Sequence, residues 1–580
     1  MAGLPSINLR AILAGQMFTA PNSDAVPNVP IPIGSQAQAD QRFGEGSELS
    51  RMFKAFYANN FANEVWGVGL PEPVGASAAT GAVTITAAPT NAGTIHLYIG
   101  GEYVPINISP TDSVPSIADA IAEEVNNTDH IAVHAAVAGA TSVGITDAEW
   151  TGGNATYTTN AAHGLTAGAT VNISGVNPST YNGTYTAGAG TTGSTIVVPI
   201  VADPGTYVSG GNAASAGTSG TVNLTCNWKG IGGNEIQVSL NYYGGRGGEA
   251  TPVGLGITLP ATGFLAGGVG TPELDDCISN MGEEPFEYFC CPYTDSESLF
   301  NMDQEYGFTD NGRWGWRREL FGHVFTAKRG SYADLLLFGE MNNSGVISIM
   351  GFEIASPSPS FEWAAAYTAK AQRALINDPA RPLQSLSLNQ IKMAPIHERF
   401  NFIELNSLAS TGIAIQKTGS DAQPMIAREQ TTYQLNLYGQ SDDAYELVTT
   451  LATLAKVLRN QRHAITSKYP RHKLANDGTK FGPGQAIVTP IIIKAELINQ
   501  YQQDMYNGLV EDLQNFKAHL LVERDPNNPN RLNVLYPPDL INQLRIFAVL
   551  AQFRLQYDRG IDTLIVGPTT GPFNAASQVS

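Results

Sequence analysis

The stretch Phe286-Glu287-Tyr288-Phe289-Cys290-Cys291 is an apolar run of strand length, and the elements after it decide the fold class. Downstream, the pattern predicts a helix near 295–307, strands at Leu335–Phe338 and Val346–Ile349, and a helix over 361–376. Asp378-Pro379-Ala380-Arg381-Pro382 closes that helix, because proline cannot continue it and disfavours the helical region just before itself. Strands alternating with helices mark an α/β unit.

Upstream of this unit the composition changes. Ala82-Val83-Thr84-Ile85-Thr86 and Thr94-Ile95-His96-Leu97-Tyr98-Ile99 alternate as strands do, and Gly100-Gly101 before Tyr103-Val104 marks a two-residue hairpin. A helix is predicted over 116–126. Residues 131–135 read as a strand whose antiparallel partner is 220–225. Between them, 145–217 is almost free of charge and rich in Gly, Thr, Ala and Asn, with a hairpin signal at Asn182-Gly183. It reads as a small all-β domain inserted at a hairpin tip, where insertions are best tolerated. Further upstream, Ser47 precedes a helix with apolar residues at 49, 52, 53, 56 and 57. Before that, apolar alternation at Ile7, Leu9 and Ala11 followed by Pro21, Pro27, Pro30 and Pro32 predicts an extended arm.

Past residue 395, a strand is predicted at Tyr433–Leu437 and a helix over 442–459, with Asp442 and Asp443 at its start favouring the helix dipole. The segment 545–555 is apolar on both faces, with Ile546, Ala548 and Leu550 against Phe547, Val549 and Phe553. Such a strand belongs inside a sheet or a covered assembly.

The 580 residues fit about three or four domains at roughly 150 residues each. Thirty-two Lys+Arg against 51 Asp+Glu leave a net charge of −19, which argues against a DNA coat. Charged residues are 14% of the chain, below the roughly 25% usual for soluble proteins. A neutral surface loses few ions on burial against neighbouring copies, which favours an assembling structural protein over a monomeric enzyme. No run reaches the roughly 18 apolar residues of a membrane span, and the N-terminus lacks a secretory pattern, so the expected compartment is the cytosol.

The chemistry-bearing residues form no constellation. Cys226, Cys277, Cys290 and Cys291 lack zinc or redox spacing, and the nine His are dispersed, with His463 and His472 separated by Pro470. Gly244–Gly248 and Gly267–Gly270 fit neither GxGxxG nor a P-loop. The acid pairs Asp275-Asp276, Glu283-Glu284 and Asp442-Asp443 are of a type that serves acid/base work, but a hydrolase using His163 or the Asp pairs lacks an assembled constellation. No catalytic residue, metal or cofactor is expected. One feature departs from neutrality: between Glu446 and Asp477 there is no acid, while Lys456, Arg459, Arg462, Lys468, Arg471 and Lys473 supply six cations. This reads either as a docking face for an acidic partner or neighbouring copy, or as a solvated helix end.

Ordered along the chain are Arg42-Phe43-Gly44-Glu45-Gly46-Ser47, Leu97-Tyr98-Ile99-Gly100-Gly101, Gly232-Gly233-Asn234-Glu235-Ile236 and Pro292-Tyr293-Thr294-Asp295. They continue with Asp378-Pro379-Ala380-Arg381-Pro382-Leu383, Arg428-Glu429-Gln430-Thr431-Thr432-Tyr433, Tyr469-Pro470-Arg471-His472-Lys473-Leu474 and Pro529-Asn530-Arg531-Leu532-Asn533. With these motifs the chain resembles the contractile-tail sheath proteins of Mu-like bacteriophages over most of its length; 145–217 departs from the family pattern.

The resemblance implies a mixed α+β multidomain fold: a sheath core of α/β domains with extended terminal arms, and a β-rich outer domain carrying the inserted all-β domain. The expected division is an N-terminal arm at 1–22, a middle domain at 23–71 and 262–394, and a β-rich domain at 72–144 and 218–261. The insert at 145–217 is placed outermost, and the C-terminal domain spans 395–580 with an arm from about 541. The resemblance further implies hexameric rings stacked helically around a tail tube, contraction on baseplate triggering, and genome delivery. Partners would be further copies, the tube, the baseplate and the tail terminator, with no direct nucleic acid contact and no membrane insertion; the insert could add contact with the host surface. Ile7, Leu9, Ala11, Ile546, Ala548 and Leu550 would then be inter-subunit arm residues, and the six cations a tube or neighbour contact. Assembly would take place in the host cytoplasm. A tube, baseplate or fibre component with a glycan-binding β domain is the alternative.

Overall fold

The structure is a computed structural model describing residues 9–19, 21–138, 142–215, 219–420 and 422–551. Its centre is a six-stranded sheet in the order Ile347–Glu353, His323–Gly330, Phe286–Cys290, Arg10–Gln16, Val65–Leu70, Ile31–Ile33. All neighbours are parallel except the three-residue edge strand Ile31–Ile33. Parallel strands are covered on both faces and so read as continuous apolar runs. In Arg10–Gln16, Ala11 and Leu13 enter one core and Ile12 and Ala14 the other, all fully buried. The helices Glu48–Tyr57 and Ser360–Asn377 cover the first face; Asp275–Met281 and Ser296–Tyr306 cover the second.

This corrects the N-terminal arm. Residues 10–16 form an interior strand of the middle sheet, so Ala11 is a core residue, and Leu9 packs against the same core. The alternation through Ile7, Leu9 and Ala11 hid a run that is apolar on both sides from Ala11 onward. Ile7 lies outside the described residues.

Sequence and structure also part at Leu335–Phe338, which lies in the helix Tyr332–Glu340 rather than a strand. A short apolar run fits either state, and the Ser331–Asp334 capping box settles it. Tyr433–Leu437 is not a strand; the Asn436 side chain accepts from the Tyr438 and Gln440 amides at 2.9 and 3.1 Å and folds the chain into a turn. The helix expected from 442 begins at Val448 and runs to Lys468. Asp442 therefore caps nothing and accepts the Tyr433 hydroxyl at 2.5 Å.

In the β-rich unit the Gly100-Gly101 hairpin joins Gly93–Ile99 to Glu102–Ile108, both glycines having positive φ (55° and 82°) as the tight turn demands. Val133–Val137 pairs antiparallel with Thr221–Lys229, and the insert rises from the tip of that pair. Six strands within 142–215 follow one another in the order Gly183–Thr186, Thr170–Ser174, Asn212–Ser215, Ser142–Thr151, Asn154–Thr159, Thr195–Pro199. The two outer strands approach where the Gly188 amide donates to the Val197 carbonyl at 2.6 Å, bringing the sheet close to a barrel around its own core of Tyr157, Val171, Ile173, Tyr181, Ile196 and Val198. Asn182-Gly183 does not turn a hairpin. Asn182 instead accepts the Val176 amide at 2.9 Å, and a longer connection leads into the strand at Gly183.

Residues 402–428 pack on the middle unit through Leu408, Ile413, Ile415 and Leu335, so that unit extends beyond 394. The last unit pairs Val448–Lys468 with Pro490–Tyr506 and adds Leu513–His519 and the hairpin Leu521–Arg524/Leu532–Leu535 around Val457, Leu497, Tyr501 and Phe516.

Candidate interaction surfaces

The six cations expected to form one positive face are divided by the fold. Three point into the protein's own carboxylates: Arg459 grips Glu287, Arg462 meets Glu319 at 2.6 Å, and Lys468 pairs with Glu496. Arg459 also donates to the Leu320 carbonyl at 3.1 Å and lies over the Phe321 ring. Lys456 is exposed and near Glu287 and Asp504. Arg471 and Lys473 lie beyond the helix on the exposed 470–486 segment. Lys480 stands on the same segment and was missed by the sequence window, which ended at Asp477. Exposed charge without an intramolecular carboxylate contact is thus found on this segment and at Lys456 of the helix.

The C-terminal segment leaves the body after two anchors. Gln543 donates to the Ala380 carbonyl at 2.6 Å, and Arg545 pairs with Glu429. Beyond them Ile546, Ala548 and Leu550 are exposed with Phe547 and Val549, and no strand forms among the described residues up to 551. Phe547 is 79% exposed, an unusual setting for a large apolar side chain. The hairpin Leu521–Arg524/Leu532–Leu535 is a two-stranded sheet whose Leu521, Val534 and Leu535 are exposed. A hairpin this small is marginal unless a further strand or packing surface covers it.

The chemistry-bearing side chains serve the fold. Burial pushes the thiols of Cys226, Cys277 and Cys290 up to about 12, far from nucleophilic. His163 is buried in the insert, its Nδ1 accepting the Leu165 amide at 3.0 Å. Glu283 and Glu284 pair with Arg318 and Arg10, and Asp275 accepts Asn301. Gly245–Gly247 is a 3-10 turn and opens no α-helix. Among the described residues no three His, Cys, Asp or Glu side chains converge as a metal site requires, and no helix is long and apolar enough to cross a membrane.

The exposed apolar side chains of 546–550 and of the hairpin Leu521–Arg524/Leu532–Leu535 are surface open to another chain. Comparison with known proteins says which family this is. Residues 267–432 match the phage tail sheath protein central domain, and residues 440–554 match the phage tail sheath C-terminal domain. The Mu-like prophage FluMu tail sheath protein of Haemophilus influenzae is 31% identical over 555 residues, covering 96% of this chain and 95% of that one. Among solved structures, a sheath tail protein from Listeria innocua aligns over 92% of both chains at 9% identity with a TM-score of 0.41. A chain in the anti-feeding prophage baseplate aligns over 50% of this chain and 76% of that one, at 9% identity and a TM-score of 0.32. The chain belongs to the phage tail sheath family, of the Mu-like type. It is a structural subunit of the virion tail. The family boundary at 432 agrees with the packing of 402–428 on the middle unit.

Proposed function

We propose that the subunit polymerises into hexameric rings stacked helically around the tail tube, and that on a baseplate signal the sleeve contracts and drives the tube through the host envelope for genome delivery. The observation that carries this reading is the C-terminal segment: anchored at Gln543 and Arg545, then apolar and exposed over 546–550, with no strand among the described residues up to 551. An extended chain of that kind adds a strand to another copy's sheet, with main-chain hydrogen bonds supplying affinity. The small hairpin Leu521–Arg524/Leu532–Leu535 is a fitting acceptor, having open edges and exposed leucines. Rigid units joined by such arms rotate without unfolding, and packed interfaces are bistable, which suits an all-or-none contraction.

The tube, the baseplate and the tail terminator are the partners of this reading, with assembly in the host cytoplasm. The tube or neighbour contact is assigned to Arg471, Lys473 and Lys480 with Lys456, rather than to Arg459, Arg462 and Lys468. The insert, a self-contained domain without a single Lys or Arg in 142–215, takes the outer surface and contacts the host.

The test is removal of residues 546–580. The truncated chain should stay folded and monomeric at concentrations where the full chain forms tubes in electron micrographs. Tubes formed equally well by both would refute strand addition by this segment.

A further inference from the structure

The strand Phe286–Cys290 is irregular at one place. Its register against the neighbouring strand runs Arg10↔Phe286 and then Ala11↔Tyr288, leaving Glu287 as the extra residue of a bulge. Bulges re-aim side chains, and Glu287 is turned towards the Val448–Lys468 helix, where Arg459 holds it. That helix spans two units: Val448 and Leu451 pack in the cores of the middle unit, and Val457 in the core of the C-terminal one.

Beside the Glu287–Arg459 pair lies a cavity of about 30 Å³ whose walls include His323, Trp314, Leu451 and Lys456. One water needs about 10–15 Å³ of such space, so the cavity suits about two. Three polar atoms of the cavity-lining residues find no protein partner: both ring nitrogens of His323 and Oε2 of Glu287. His323 is 4% exposed and packs its ring against Phe325. Buried polar atoms beside a water-sized space are the setting in which internal water is held.

The charges around His323 come from few elements. Its own strand neighbour offers Glu287 and Tyr288, and the Val448–Lys468 helix offers Lys456 and Arg459. Arg313 also acts on Glu287 but is paired with Glu305 at 2.8 Å, and Lys456 also faces Asp504. Leu9 and the end of the Ser360–Asn377 helix present only apolar side chains. Glu287 is thus the single carboxylate on the cavity wall, and it already answers Arg459. A proton on His323 would add a third cation with no carboxylate left to balance it.

We propose that this hydrated cavity is an acid-sensitive joint between the middle unit and the Val448–Lys468 helix, closed while His323 is neutral and opened when it is protonated. Burial holds the imidazole down at about 3, against about 6.5 for a solvated histidine. A depressed folded value means the joint is fully stabilised above about 6.5 and loses stability as pH falls towards 3. From pH 7.5 to 5.0 the opening equilibrium should rise, with His323 alone contributing up to about 30-fold. Asp504 and Glu287 act in the opposite direction, since burial raises both folded values and protonating them adds stability on acidification, so neither can imitate the effect and both reduce it.

The experiment is hydrogen exchange on the dilute full-length chain, reading peptides across 448–459 with the intrinsic pH dependence of exchange removed and 155–173 in the insert as reference. Protection of 448–459 should fall between pH 7.5 and 5.0 in the wild type, by up to about 30-fold, and stay level or rise in His323→Phe, with 155–173 unchanged in both. His323→Gln serves the same purpose if the phenylalanine variant does not fold. Level protection in the wild type, or the same fall in the variant, overturns the joint.

Discussion

Arg51 shows how much one side chain can carry. It is fully buried at the meeting of three segments, donating to Glu362 at 2.6 and 3.1 Å, to the Gly100 carbonyl at the hairpin turn, and to the His130 carbonyl. Removing one member of a buried ion pair strands the other, at a cost of about 3–5 kcal/mol. Arg51→Ala should lower unfolding stability by that amount in a urea titration, and a change near zero would show the pair to be dispensable. Asp504 is a second case: burial raises its carboxyl to about 6, against the opposing hydrogen bonds from Asn460 and Gln500. Because the folded value lies above the unfolded one of about 3.9, its contribution is complete below that value and is lost as pH rises through about 6. Asp504→Asn should therefore stabilise the C-terminal unit at pH 7.5, by about 1–3 kcal/mol, and leave it unchanged at pH 4. Denaturation midpoints of both chains at the two pH values check this. Neither residue was legible in the sequence, since Arg51 reads as an ordinary polar position of an amphipathic helix and Asp504 as a surface acid; what singles them out is burial created by segments distant in the chain.

At the scale of elements the sequence was most readable where one local signal decided the matter. Ser47 and the helix after it, Gly100-Gly101 and its hairpin, and the 131–135/220–225 pair all carry their signal within a few residues. It was least readable where tertiary burial decided. The alternation at Ile7, Leu9 and Ala11 looks like an arm, yet the strand Arg10–Gln16 is covered on both faces by helices that the local window does not contain. Truncation to residue 17 should accordingly abolish the cooperative thermal transition of the middle unit; a soluble, cooperatively melting product would restore the arm. The basic stretch misled in a similar way, because its partners Glu287, Glu319 and Glu496 lie outside it. Arg459→Glu should lower the melting temperature, since it places a carboxylate against buried Glu287. Reversing Arg471, Lys473 and Lys480 together should leave melting within the small range usual for exposed sites while weakening assembly on the tube. Equal melting losses would contradict the division of the cluster.

The molecule as a whole is a parallel α/β body with three attachments: a β-rich unit, a closely wrapped insert on a two-stranded neck, and a C-terminal unit joined through one long helix. The insert has its own core, so a chain lacking 142–215 should fold, and calorimetry of the full chain should contain a transition matching the isolated insert. In the proposed function this body is completed by further copies of itself. Electron microscopy of the purified full-length chain at high concentration addresses it most directly. Wide hollow tubes of stacked rings are the predicted result; a chain that stays monomeric even when tail tube and baseplate are supplied would contradict it.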